Sequence, residues 1–246
     1  MPYFEGGRGR LHYRRWPVAE GAAVLVLLPG TGQHSGHYHR FASGLAGAGI
    51  ELWALDTSGH GLSEGDPERP GDLSELCADA DAFVEEVTRL RAEAAPWFLM
   101  GHSLGAATVL AGLGDGLGAG CAGVVLCGTP QRILRGEAPR SARGSSGAVP
   151  ERRGAAIAVG RVPGGVESTS AGRTFTSRVP EALPVLVVHG VDDRRTPIDP
   201  VREWARSVDA EFREYADAGH DLLHDPVQGE VTGDIADWIG RVNSNR

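Results

Sequence analysis

Lysine is absent from this chain: all 24 of its cationic side chains are arginine. Schiff-base chemistry, phosphate cradling by a P-loop and serine–lysine catalysis each need a lysine amine, so all three are excluded. Cysteine is scarce as well. Cys77, Cys121 and Cys127 form an odd set without metal-ligand spacing, which predicts unpaired thiols in a reducing, cytoplasmic setting. No apolar run reaches the roughly 18 residues that a membrane-spanning helix requires. The opening Met1-Pro2-Tyr3-Phe4-Glu5 has neither the basic start nor the apolar core of a secretory signal. Positive charge is also in deficit. The formal net charge of −8 argues against a nucleic-acid partner, which would call for a basic face.

What remains is an ordinary globular composition over 246 residues, with 41% hydrophobic and 23% charged side chains. That length supports a substantial core without disulfides or metal staples. Near-continuous apolar runs at Ala23–Leu28, Ile50–Leu55, 97–100, Val124–Cys127 and 184–189 read as strands buried on both faces, the mark of a parallel sheet. Residues 11–16 alternate more and read as an antiparallel edge strand. Between the runs lie helical patterns. Residues 73–91 carry Leu73, Leu76, Ala80, Phe83, Val84, Val87 and Leu90 on one stripe, and 103–113, 201–208 and 227–242 are further helices. Alternating strand and helix gives an α/β class with a mainly parallel sheet and helices on both faces. In such sheets the functional site lies at the carboxyl ends of the strands.

Residues 131–180 break this pattern. They hold nine arginines, three glutamates and no aspartate, with abundant Gly, Ser and Pro. The expectation is a core built from 1–130 and 181–246, interrupted at 131–180 by a loose, partly disordered surface insertion or by a short basic cap or lid.

Gly101-His102-Ser103-Leu104-Gly105 is a G-x-S-x-G pentapeptide with an apolar strand leading in and a helix-forming run leading out. That is the setting of a nucleophile elbow, in which a serine sits on a strained strand-to-helix turn. A hydroxyl becomes nucleophilic only when a histidine removes its proton, and that histidine needs an orienting carboxylate. The chain order with such an elbow is serine, acid, histidine. The acid is then Asp192 or Asp193, just after the strand at 184–189. The base is His220, which follows a strand-like run at Glu211–Tyr215 and precedes a helix. His224 is a second candidate base at a less favourable spacing. His34, His37 and His39 cluster without a carboxylate at a familiar ligand spacing, so no metal site is expected. His102 and His189 read as packed, hydrogen-bonded core residues.

Several ordered segments resemble the monoacylglycerol lipases and the bacterial lysophospholipase-like hydrolases. Gly32-Gln33-His34-Ser35-Gly36-His37-Tyr38 is similar to that family's glycine, acid, His-Ser-Gly, Arg-Tyr signature. The segment from Asp56 to Gly65 resembles its D-x-x-G-H-G-x-S-E-G loop. The elbow, the His189-Gly190-Val191-Asp192-Asp193-Arg194 loop and the Gly219-His220 loop match as well. The resemblance covers about four-fifths of the chain and implies an α/β-hydrolase fold with a Ser103–Asp193–His220 triad. It selects Asp193 over Asp192 and implies an oxyanion hole made by the amides of Thr31 and Leu104. It gives the loop from Asp56 to Gly65 a mainly structural role. Where the family has His-Gly before the oxyanion residue, this chain has Pro29-Gly30. Where its lipid-acting members have a longer apolar cap, this chain has the basic stretch at 131–180, which points away from lipid surfaces.

The implied activity is hydrolysis of carboxylic esters, monoacylglycerol-like or other small acyl esters, without a cofactor. An alternative is a thioesterase or acyltransferase whose acyl group comes on an acyl carrier protein or coenzyme A, drawn by the basic stretch. A third reading is a cyclase or ligand binder on the same scaffold, since fold does not fix function.

Overall fold

Five six- or four-residue strands carry no exposed side chain: β3 (Ala23–Leu28), β4 (Ile50–Leu55), β5 (Trp97–His102), β6 (Val124–Cys127) and β7 (Val185–Gly190). They form the middle of an eight-stranded sheet in the computed structural model, which describes residues 2–19, 21–91, 95–136 and 179–246. Beyond them lie β8 (Glu211–Tyr215) on one side and β2 (Gly9–Trp16) then β1 (Tyr3–Gly6) on the other, giving the order β1-β2-β4-β3-β5-β6-β7-β8. The strands from β4 to β8 pair in parallel, while β1–β2 and β2–β4 are antiparallel. The strand expected at 11–16 is therefore antiparallel but not an edge. The edge is β1, whose four residues pair with it from Tyr3 opposite His12 to Gly6 opposite Gly9.

Side chains alternate between two cores, as the period of a strand requires. Val24, Val26 and Leu28 face one, with α2 (Leu73–Leu90), α3 (Leu104–Leu113), the single turn α4 (Gln131–Leu134) and α5 (Ile198–Ser207) packed on it. Ala23, Leu25 and Leu27 face the other, covered by α1 (His39–Gly47) and α6 (Gln228–Ser244). Helix α2 begins with a reciprocal capping box between Asp72 and Glu75, which satisfies two amides that the helix itself cannot. Helix α3 buries every residue from Gly105 to Leu113, so it needs no polar stripe. Of the expected basic cap at 131–180, residues 137–178 lie outside the described residues.

This architecture puts the carboxyl ends of β3, β4, β5, β6, β7 and β8 along one edge. The segments 29–35, 56–65, 103–104, 128–130, 191–196 and 216–221 all leave from there. The candidate residues sit in them.

Candidate active site

Ser103 stands between β5 and α3 at φ 51°, ψ −109°. A non-glycine residue held there carries strain of about 1–3 kcal/mol, and it survives only where the surroundings enforce it. The enforcement comes from close packing. A Cβ on Gly105 would lie 1.9 Å from the Leu28 carbonyl oxygen, and one on Gly101 would lie 2.4 Å from the Ala106 nitrogen. Neither contact can relax, because both partners are backbone. The Ser103 N–H donates to the Cys127 carbonyl at 2.9 Å, tying the turn to the end of β6.

His220 follows β8. Its Nε2 lies 2.8 Å from Ser103 Oγ, and its Nδ1 donates to Asp193 Oδ2 at 2.7 Å. Asp193 is buried and accepts three more hydrogen bonds. The Arg195 and Thr196 amides donate to Oδ1 at 2.8 and 2.9 Å, and the Thr196 hydroxyl donates to Oδ2 at 2.5 Å. Burial alone would raise its pKa. The bonds from His220 and Thr196 more than offset that and hold the carboxyl well below the usual carboxylate range. Asp192 is exposed, and its amide donates to the Ala218 carbonyl at 3.0 Å. Of the adjacent pair, the structure brings Asp193 to His220.

Thr31 and Leu104 flank the serine. Among the described residues, neither amide donates to another backbone group, and Leu104 opens α3. Gly30 comes close to the elbow: a Cβ there would lie 2.9 Å from His102 Nδ1 and 3.2 Å from Ser103 Cβ. Ser103, His220, Thr31, Gly30, Gln33, His102, Pro130, Arg195, Thr196 and Asp221 line a cleft of about 240 Å³. Most of its walls are polar.

Several contributors carried no clear signal in the sequence. Gln33 bridges three loops: Gly30 N–H donates to its Oε1 at 3.3 Å, and the Tyr38 hydroxyl donates there at 2.5 Å. Its Nε2 donates to Asp221 at 3.2 Å. Its Oε1 also lies 2.7 Å from Nδ1 of His102, whose Nε2 lies 3.1 Å from the His220 carbonyl oxygen. Burial pushes the His102 pKa down to about 4, against the His220 carbonyl, which raises it. His189 Nε2 donates to the Thr196 carbonyl at 2.8 Å. Both histidines are thus buried and hydrogen-bonded, as expected. Thr196 was missed, although an aspartate followed by a threonine three residues on is an Asx-turn pattern. His224 is exposed, packs against His37 and Tyr38, and does not line the cleft. His39 leaves the histidine cluster to meet Trp16 edge to face. Cys77 is half-buried and Cys121 and Cys127 are buried, all three as free thiols. No described helix is long and apolar enough to cross a membrane.

Comparison with known proteins shows the family. The model of the hydrolase family described as serine aminopeptidase, S33, matches residues 19–148, more than half of the chain. The chain belongs to this family. It is 28% identical to a monoacylglycerol lipase of Mycolicibacterium smegmatis, over 95% of this chain and 94% of that protein. It is 31% identical to human monoglyceride lipase over 45% of this chain and 37% of that protein. Two solved structures share the fold. The monoacylglycerol lipase of Paleococcus ferrophilus superposes with a TM-score of 0.62 at 22% identity, covering 96% of this chain and 99% of the other. A soluble variant of the Saccharomyces cerevisiae monoglyceride lipase gives 0.70 at 19% identity, covering 98% and 94%. The fold is that of the α/β hydrolases, and the protein is a hydrolase of the monoacylglycerol-lipase type.

Proposed function

We propose that this protein hydrolyses carboxylic esters, monoacylglycerol-like or other small acyl esters, through an acyl-enzyme on Ser103. The observation that carries the reading is the unbroken line from Asp193 through His220 to Ser103, with links of 2.7 and 2.8 Å. In the proposed cycle, His220 Nε2 takes the Ser103 proton as Oγ attacks the carbonyl carbon. Asp193 fixes the tautomer that leaves Nε2 free to accept, and it stabilises the imidazolium. The amides of Thr31 and Leu104 receive the oxyanion. His220 then gives its proton to the leaving alkoxide, and a water activated by the same ring releases the acid.

The polar cleft favours small or hydrophilic esters over long acyl chains. The acyl-carrier and coenzyme A alternative rests on the basic stretch, most of which lies outside the described residues, and no described feature favours it. A cytoplasmic location belongs to the same reading, on the strength of the three unpaired thiols.

The test is steady-state turnover of p-nitrophenyl butyrate by wild type and Ser103→Ala. Sustained turnover in the first and a fall of several orders of magnitude in the second is expected. Equal rates would refute the assignment of Ser103.

A further inference from the structure

Thr31, whose amide is the proposed oxyanion donor, is clamped through the amides on either side of it. On one side, Gly30 N–H donates to Gln33 Oε1 at 3.3 Å. On the other, Gly32 N–H donates to His60 Nε2 at 3.1 Å. The His60 bond has only one consistent chemistry. The ring's Nδ1 lies 3.1 Å from the Ser58 carbonyl, which can only accept. Nδ1 therefore carries the proton, and Nε2 presents its lone pair to Gly32. A single neutral tautomer satisfies both partners.

His60 is itself on a fixed platform. The Asp56 carboxylate, at the end of β4, is fully buried and accepts from Leu62 N–H at 2.9 Å, from His12 at 2.9 Å and from Ser35 N–H at 2.6 Å. Within the loop, His60 N–H donates to the Thr57 carbonyl at 2.8 Å. Ser63 N–H donates to the His60 carbonyl at 3.0 Å, and Gly59 N–H to the Glu64 carbonyl at 2.9 Å. Asp56 thus holds the far end of the oxyanion segment directly, through Ser35, and ties down Leu62 in the loop that carries His60. The middle of that segment has little else to hold it. Thr31 and Gly32 are exposed, and Gly32 sits at φ 76°, with open space where a side chain would stand. A left-handed glycine is the most mobile residue a chain can place there.

We propose that His60 is a positioning residue for ester hydrolysis: by accepting the Gly32 N–H it fixes the Thr31 amide where the oxyanion forms. This rests on the reading of Ser103 as nucleophile and of Thr31 as an oxyanion donor. Its effect falls on the transition state, because the amide of Thr31 is needed most when charge develops on oxygen.

The experiment compares wild type, His60→Leu and His60→Gln on p-nitrophenyl butyrate, with Ser103→Ala as the blank. A short alkyl boronic acid serves as the tetrahedral analogue. Leucine fills the space without an acceptor, whereas the glutamine carbonyl can reach the Gly32 amide. His60→Leu is expected to lower kcat about 10-fold or more, with KM changed less than about 2-fold. That is short of the 10²–10³ lost when an oxyanion donor is removed outright. The boronate inhibition constant should rise by the same factor as kcat/KM falls, and His60→Gln should recover most of both. Unchanged kcat in His60→Leu overturns the proposal. So does a lower kcat with unchanged boronate affinity, which would mark a general loss of structure. Should His60→Leu fail to fold, failure of a folded His60→Gln to keep near-wild-type boronate affinity overturns it as well. Absence of Ser103-dependent turnover in wild type would instead refute the hydrolase reading, and the proposal with it.

Discussion

Replacing Asp193 by asparagine isolates what the carboxylate contributes, because the structure shows which of its bonds an amide can keep. The asparagine oxygen can take the Oδ1 position and still accept from the amides of Arg195 and Thr196. Its NH₂ group then faces Thr196 Oγ and His220 Nδ1. The hydroxyl can turn and accept. The imidazole can accept only by moving its proton from Nδ1 to Nε2, where it points at Ser103 Oγ and cannot receive that serine's proton. The geometry survives while the tautomer is wrong, a loss worth about 10⁴ in kcat. Stability should fall by only about 2 kcal/mol, the worth of a hydrogen bond to a charged group. Turnover of p-nitrophenyl butyrate, read beside thermal unfolding, gives both numbers. Asp192→Asn is the matched control. That side chain is exposed and stands away from His220, so activity within about twofold of wild type is expected. An Asp193→Asn enzyme within tenfold of wild type, or an inactive Asp192→Asn enzyme, would refute the reasoning.

Two further outcomes follow from the packing and the titration of the site. Gly105→Ala places a methyl group 1.9 Å from the Leu28 carbonyl oxygen and 2.6 Å from its carbon. Since backbone must move to admit it, the cost should exceed the roughly 1–3 kcal/mol of ordinary overpacking, and an unchanged melting temperature would show that the elbow is looser than described. His102 is lowered by burial to about 4 from an ordinary 6.5, so between those values the unfolded chain binds the proton and the folded one does not. Stability should therefore fall as pH drops through 6.5 toward 4, by on the order of 3 kcal/mol from this one group. Urea midpoints measured at pH 7 and pH 5 test the sign, and His102→Gln should flatten the slope. A midpoint that holds steady from pH 7 to pH 5 would contradict the lowered pKa of His102.

The parts of the fold that the sequence displayed are those whose physics is local. Strands such as Ala23–Leu28 and Ile50–Leu55 are buried on both faces, so their side chains are apolar without interruption and their limits show. Helix α2 announces itself by its apolar stripe. By contrast, β1 is four residues long with alternate residues half-exposed, too short for a pattern. Its pairing outside β2 turned an expected edge strand into an inner one. Helix α1 was overlooked because Phe41, Ala42 and Leu45 are its only buried positions, and Gly44 and Gly47 dilute the helical signal.

The same distinction runs through the site. Ser103 is legible because an elbow needs glycines at 101 and 105, and that requirement is written within five residues. His220 follows from chain order. The choice between Asp192 and Asp193 turns on how one loop meets another: Asp192 N–H reaches the Ala218 carbonyl, which leaves the next carboxylate facing inward. No pattern around residue 192 encodes that contact. Gln33 is more distant still, since its bond to Asp221 spans 188 positions. Its amide also touches the residue before the nucleophile, and His60 holds Gly32 across 28 positions. The proposed nucleophile can therefore be read from a short motif because strain and glycine demand are imposed by neighbours in sequence. The groups that aim them are set by which strand ends the topology brings together, and they become visible only once β3, β4, β5 and β8 lie side by side with their carboxyl ends aligned.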